Sequence, residues 1–133
     1  MAERVRMLQI GEVAERVGLS LRSVRFYEES GLLTPAARSD GGFRLYTEEQ
    51  VQRLLLIKRM KPLGFSVQEM RDLLTAYDTL EAADAAAEQL EAARQSIAAF
   101  SERTAERIED LRKQLARAEE FAARLEQALP SRG

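Results

Sequence analysis

Residues 65–129 contain neither glycine nor proline and are rich in Ala, Glu, Leu and Arg. Nothing in that run stops a helix, and its composition is typical of long helices and coiled coils. The preceding residues are punctuated quite differently, by Gly18, Gly31, Pro35, Gly41, Gly42, Pro62 and Gly64. The chain therefore reads as mainly α, with a small domain of short elements over 1–76 and a helical extension over 77–133. With 133 residues, 6% aromatics and no Trp, one large core is not expected.

In the front part, Ile10, Val13, Ala14 and Val17 recur at helical spacing and predict a first helix over 10–17. Residues 1–9 form a lead-in, either a first strand or a frayed arm. Gly18 suits a left-handed helix terminus. Ser20 is a natural N-cap for a second helix over 21–30, with Val24 and Tyr27 inward and Leu21 helping, and Gly31 and Pro35 stop it. Residues 38–46 have a strand–turn–strand pattern with Asp40-Gly41-Gly42 at the tip. Thr47 with Gln50, and Ser66 with Glu69, are capping-box signatures; they open helices running to about Lys61 and about Ala76.

From Asp78 the pattern becomes that of one long helix. A heptad frame from Ala87 places Ala87, Arg94, Ser101, Ile108, Leu115, Ala122 and Leu129 at one seam position. Leu90, Ile97, Thr104, Leu111, Ala118 and Leu125 take the other. Most of these are apolar, which favours a coiled-coil seam, although Arg94, Ser101 and Thr104 weaken its middle. A helix of about 45–50 residues would be roughly 70 Å long and cannot bury such a stripe alone. It needs a second copy or its own folded-back end. Leu90, Ile97, Ile108, Leu111, Leu115 and Leu125 are the expected dimerisation residues.

Charge is uneven. The whole chain carries −2 with a pI near 5.4. Residues 1–75 hold 12 Lys+Arg against 10 Asp+Glu, whereas residues 76–133 hold 8 against 12. Any contact with nucleic-acid phosphate must come from local clusters in the front part, because DNA would repel the back. Cysteine and histidine are absent, so this chain offers no disulfide, thiolate metal site or imidazole catalyst. No cofactor is expected. No secretory signal or apolar run of membrane-spanning length is seen, which makes a cytoplasmic protein the expectation.

Two features point to duplex DNA. The second predicted helix exposes Arg22, Ser23, Arg25 and Phe26; arginine there can pair with guanine or clamp phosphate, and serine near a helix start suits phosphate oxygens. The alternative is an ordinary solvated charged face. The hairpin gathers Arg38, Phe43, Arg44 and Tyr46 around its tip, and strand alternation puts Arg44 and Tyr46 on one side, a pair able to grip one phosphate. The alternative is a small edge hairpin with surface charges. Beside a helix-turn-helix, the basic wing is the stronger reading. Lys58, Arg59 and Lys61 either answer the helix dipole or reach flanking phosphates.

The segments IGEVAERVGLSLRSVRFYEESGLL, RSDGGFRLYT and LGFSVQEMRDLL, in that order, resemble the helix-turn-helix, wing and following helix of the MerR family of bacterial transcription regulators. The likeness covers residues 8–74. It implies a winged helix-turn-helix domain followed by a long antiparallel coiled-coil dimerisation helix. It also implies a homodimer on a pseudo-palindromic promoter in double-stranded DNA, bending and underwinding an overlong spacer so that RNA polymerase can engage. By matching positions, DNA contact is carried onto Arg22, Ser23, Arg25, Phe26, Arg38, Phe43, Arg44, Tyr46 and Lys61. Phe26 and Phe43 stand where the family often has tyrosine, so a phosphate-bonding hydroxyl is missing at both.

Metal-sensing members of that family use cysteines near the end of the long helix, and none exists here. Asp84 and Glu88 read as solvated surface. Phe100 and Phe121 are expected at the dimer or against the DNA-binding lobe, with a small ligand pocket as the alternative. The effector is not legible. An architectural or recombination accessory protein that bends DNA is the second functional class, and a module whose tail docks another protein is the third. No enzyme is expected, since there is no phosphate loop, no His or Cys nucleophile system and no cluster of convergent carboxylates.

Overall fold

A computed structural model describes residues 7–35 and 37–130. Compact packing divides the chain into two units between Ser96 and Ile97.

In the first unit, α1 (Ile10–Val17) and α2 (Leu21–Glu29) form the helix-turn-helix. Gly18 closes α1 at φ 71°, with its N–H turned back to the carbonyls of Ala14 and Glu15. A side chain there would be strained by that φ, and its Cβ would also stand 2.9 Å from Lys58 Nζ. The hydroxyl of Ser20 accepts the Ser23 amide at 3.1 Å, the N-cap read from the sequence. Val24 and Tyr27 are buried as expected, but Leu21 is 41% exposed. Leu21 occupies the first position of α2, where its Cβ points back past the helix start and beyond the core.

The wing is a three-stranded antiparallel sheet in the order β1-β3-β2, made of β1 (Leu8–Gln9), β2 (Ala37–Arg38) and β3 (Arg44–Tyr46). Leu8 faces Tyr46, and Arg38 faces Arg44. The lead-in therefore contributes a strand; its first six residues lie outside the described ones. At the tip, Gly42 takes φ 80°, and the Ser39 amide donates to the Phe43 carbonyl at 2.8 Å.

Helix α3 (Glu48–Met60) runs into a 3-10 turn, Lys61–Leu63, and α4 (Val67–Glu81) follows. At the start of α4 both halves of the Ser66–Glu69 capping box form. At α3 only one half does: Thr47 accepts the Gln50 amide, while Gln50 Oε1 is buried with no hydrogen-bond partner among the described residues. The core joins Val13, Val17, Val24, Val51, Leu54, Ile57 and Leu74, each almost fully buried. Every such side chain contributes about 1.5–3 kcal/mol.

Helix α4 continues to Glu81, past the Ala76 expected from the sequence and through the expected 76/77 boundary. One reason is tertiary: Arg53 on α3 forks onto Asp78 at 2.8 and 3.1 Å. The chain breaks at 82–86, and α5 (Ala87–Ala128) begins with the Ala86 amide held by Gln89 Oε1 at 2.9 Å. The single helix expected from Asp78 onward is therefore two helices, and Asp84 and Glu88 do not share one. Alanine-rich composition hides this break, because Ala82 takes an extended ψ of 123° that its propensity disfavours.

The second unit starts within α5, which is uninterrupted from Ala87 to Ala128. Ile108, Leu111, Leu115, Phe121 and Leu125 on it are exposed. Phe100 is buried, with the Arg103 guanidinium 5.5 Å from its ring centroid. Among the described residues, no helix is long and apolar enough to cross a membrane.

Candidate nucleic-acid interface

The outward side of α2 carries Arg22, Arg25 and Phe26, all exposed. Neither arginine forms an ion pair with a described residue, so both guanidiniums are available to an anionic partner. The Phe26 ring is 50% exposed and meets the Tyr27 ring edge-on at 5.5 Å. Ser23 is only partly available, because its amide serves the Ser20 cap and its hydroxyl lies 3.0 Å from Ser20 Oγ.

On the wing, Arg38 is exposed and donates to the Gly42 carbonyl at 3.1 Å, bracing the tip. Phe43 is 65% exposed. A Cβ on Gly41 would come within 3.0 Å of the Phe43 ring, so the bare glycine lets that ring fold across the turn.

Arg44 and Tyr46 share a side as expected, but that side faces α2. Tyr46 is fully buried, and its hydroxyl donates to Glu28 Oε2 at 2.5 Å. Arg44 Nε stands 2.9 Å from Glu28 Oε1. Burial first, and the bond to Glu28 second, hold the Tyr46 phenol well above the usual tyrosine range; Arg44 and Arg25 pull the other way. The expectation that Tyr46 grips phosphate is thus corrected. A buried hydroxyl needs an internal acceptor, and Glu28 supplies it. Arg44 remains about one-third exposed and is the wing side chain that can still reach a phosphate.

The basic cluster after α3 divides. Lys58 Nζ donates to the Val17 carbonyl at 2.7 Å, answering the C-terminal end of α1, so its role is internal. Lys61 is exposed at the 3-10 turn and keeps its place among the candidate contacts. Two further cations cap the second helix and its exit: Arg71 donates to the Ser30 carbonyl, and Arg53 Nε to the Leu32 carbonyl at 2.9 Å. Sequence reasoning missed these, and it missed Glu28. The one sequence signal for Glu28 is an acidic residue next to the otherwise basic and aromatic face of RFYEE.

Arg16 forks onto Glu48 at 2.6 and 2.7 Å, and that hydrogen bond raises the arginine pKa further. Among the described residues no group of His, Cys, Asp and Glu could hold a metal ion.

The family description "MerR HTH family regulatory protein" matches residues 8–77, and "MerR, DNA binding" matches residues 51–128. The chain belongs to the MerR family. The HTH-type transcriptional regulator CueR of Yersinia pestis is 39% identical to it over 70 residues, 53% of this chain and 50% of that protein. This MerR-family chain spans about half the length of the curated relatives first matched.

Two solved structures share its fold. HiNmlR, described as a MerR family regulator lacking the sensor domain and bound to promoter DNA, superposes with a TM-score of 0.68 at 24% identity; 92% of this chain and 93% of that one are covered. A transcription regulator from Ralstonia metallidurans in complex with lead(II) gives a TM-score of 0.52 at 31% identity, covering 95% and 91%.

Proposed function

We propose that this MerR-family chain is a cytoplasmic, sequence-specific DNA-binding transcription regulator that acts as a homodimer. The observation that carries the reading is the pair of exposed arginines on α2, Arg22 and Arg25, which form no ion pair among the described residues, beside a wing whose tip presents Arg38 and Phe43. A helix of this kind enters the major groove, while a basic wing follows the adjacent backbone. Arg22 and Arg25 are assigned to base edges or nearby phosphates. Ser23, Phe26, Arg38, Phe43, Arg44 and Lys61 are assigned to the backbone. The promoter-bound relative of similar fold supports this placement.

The exposed stripe on α5, with Ile108, Leu111, Leu115 and Leu125, supports a second copy as the covering partner. Two DNA-binding units then read a pseudo-palindromic site. Bending and underwinding of the spacer, with RNA polymerase as the beneficiary, is the finer part of the proposal. Sequencing genomic DNA crosslinked to the chain tests it. Enrichment of pseudo-palindromes inside promoters with long spacers is expected. Broad recovery along the genome would favour an architectural DNA-bending role, and no enrichment over input would remove the DNA reading.

A further inference from the structure

Glu28 is a carboxylate on the DNA-facing helix of a protein whose partner is a polyanion, and its side chain is only 13% exposed. By charge alone it weakens binding, because every phosphate brought near it is repelled. Its neighbours give it a different task. It ties together two side chains of β3, taking the Tyr46 hydroxyl on one oxygen and the Arg44 guanidinium on the other. Strand β3 has three residues, and its partners β1 and β2 have two each. A sheet that small is not stable by itself and depends on what it packs against.

The tie also holds the arginine in place. Arg44 Nε is buried 2.9 Å from Glu28 Oε1 in an ion pair whose N–H is not aligned as a hydrogen bond, so the carboxylate holds the guanidinium by charge and leaves its two terminal NH2 groups for a phosphate. The Glu28 link therefore restrains both the position of Arg44 and the separation between the wing and α2, the two parts that must reach neighbouring grooves together.

We propose that Glu28 is a positioning residue for DNA binding: it touches no DNA, yet it strengthens binding by holding Arg44 and the wing in register with α2. This rests on the DNA-regulator reading above. The proposal fixes a sign opposite to that of the carboxylate's own field, and the sign can be measured.

Glu28→Gln keeps an oxygen to accept from Tyr46 but removes the charge that holds Arg44. The probe is labelled, sheared genomic duplex at low and moderate salt, since the Arg44 contact is to phosphate and needs no particular sequence. With the full chain, Glu28→Gln is expected to bind about 10-fold more weakly, with the salt slope reduced by about 0.9, the value of one phosphate. In an Arg44→Ala background the same substitution is expected to bring no weakening, since its target has gone. In the DNA-free protein, amide hydrogen exchange at Ser39 and Leu45 is expected to rise in Glu28→Gln while α4 amides stay unchanged.

Tighter or unchanged binding by Glu28→Gln would overturn the proposal and leave Glu28 as a plain source of repulsion. Equal weakening with and without Arg44, or faster exchange throughout α4 as well, would also overturn it by showing general loss of structure. If the unsubstituted chain retains no duplex at low salt, the DNA-regulator reading itself falls and takes this role with it. If that chain binds and only the sign is wrong, the Glu28 proposal alone is lost.

Discussion

Replacing Ile108 and Leu111 together by Asp tests how α5 is covered. In the single chain these side chains are 41% and 49% exposed, so half of each is already in water. If α5 had no partner, the change would cost only the lower helix propensity of Asp, about 0.5 kcal/mol per site. In a twofold seam each site occurs twice. Covering the exposed half of an Ile or Leu is worth about 1 kcal/mol, so the four side chains supply about 4 kcal/mol to association. Carboxylates trapped in the closed seam add a penalty of several kcal/mol.

A loss of at least 4 kcal/mol weakens dimerisation by about 1,000-fold or more. Sedimentation velocity across a concentration series reads this directly. Lys113→Asp is the matched control: it alters net charge by the same amount as the double substitution but lies at the outermost position of the heptad frame. We expect the control to sediment with the unsubstituted chain and the double variant to sediment as a monomer at micromolar concentration. A double variant that remains dimeric with an unchanged concentration dependence would refute the seam assignment.

Other substitutions separate kinds of contact. Arg44→Ala is expected to weaken binding to all sequences and to lower the salt slope by about one phosphate, whereas Arg22→Ala or Arg25→Ala costs about 1–3 kcal/mol at the cognate site if that arginine reads a base. Binding titrations on cognate and scrambled duplexes distinguish the two; equal losses on both duplexes from all three variants would make every one of them a phosphate clamp. Lys58→Met keeps the aliphatic stem but strands the Val17 carbonyl, so urea unfolding is expected to show a loss of about 1–3 kcal/mol with the salt slope of DNA binding unchanged. Tyr46 gives a pH signature: its phenol is held protonated in the folded chain, so from about pH 10 upward the unfolded chain loses a proton that the folded one keeps. Stability is complete below that pH and falls by up to about 1.4 kcal/mol per pH unit as pH rises further. Urea midpoints at a series of alkaline pH values are expected to show a shallower decline in Tyr46→Phe, with Tyr27, also raised by burial, supplying what remains.

Much of the first unit could be read locally because its signals are local. Ser20 caps α2, Gly18 takes the left-handed angle, and Ser66 and Glu69 close a capping box, each within a few residues of its partner. The hydrophobic period of α1 and the glycine-rich wing tip belong to the same class. The exposure of Arg22 and Arg25 followed from the burial of Val24 and Tyr27 on the opposite side of the same helix. The break at 82–86 was not legible, since the alanines there carry no stop signal and the end of α4 depends partly on Arg53 reaching Asp78 from another helix.

Side-chain roles that span the fold were decided only in three dimensions. Sequence periodicity placed Arg44 and Tyr46 on one side of a strand but could not say what that side met. Glu28, 18 residues from Tyr46 along the chain, turned a supposed phosphate grip into a buried internal link. Lys58 belongs to a basic run, yet it caps a helix end 41 residues earlier in the chain. Periodicity and capping report on each element's own backbone and solvent side. Which charge ends beside which is fixed by how elements pack, and a buried hydroxyl or carbonyl then selects the nearest polar group regardless of its distance in sequence.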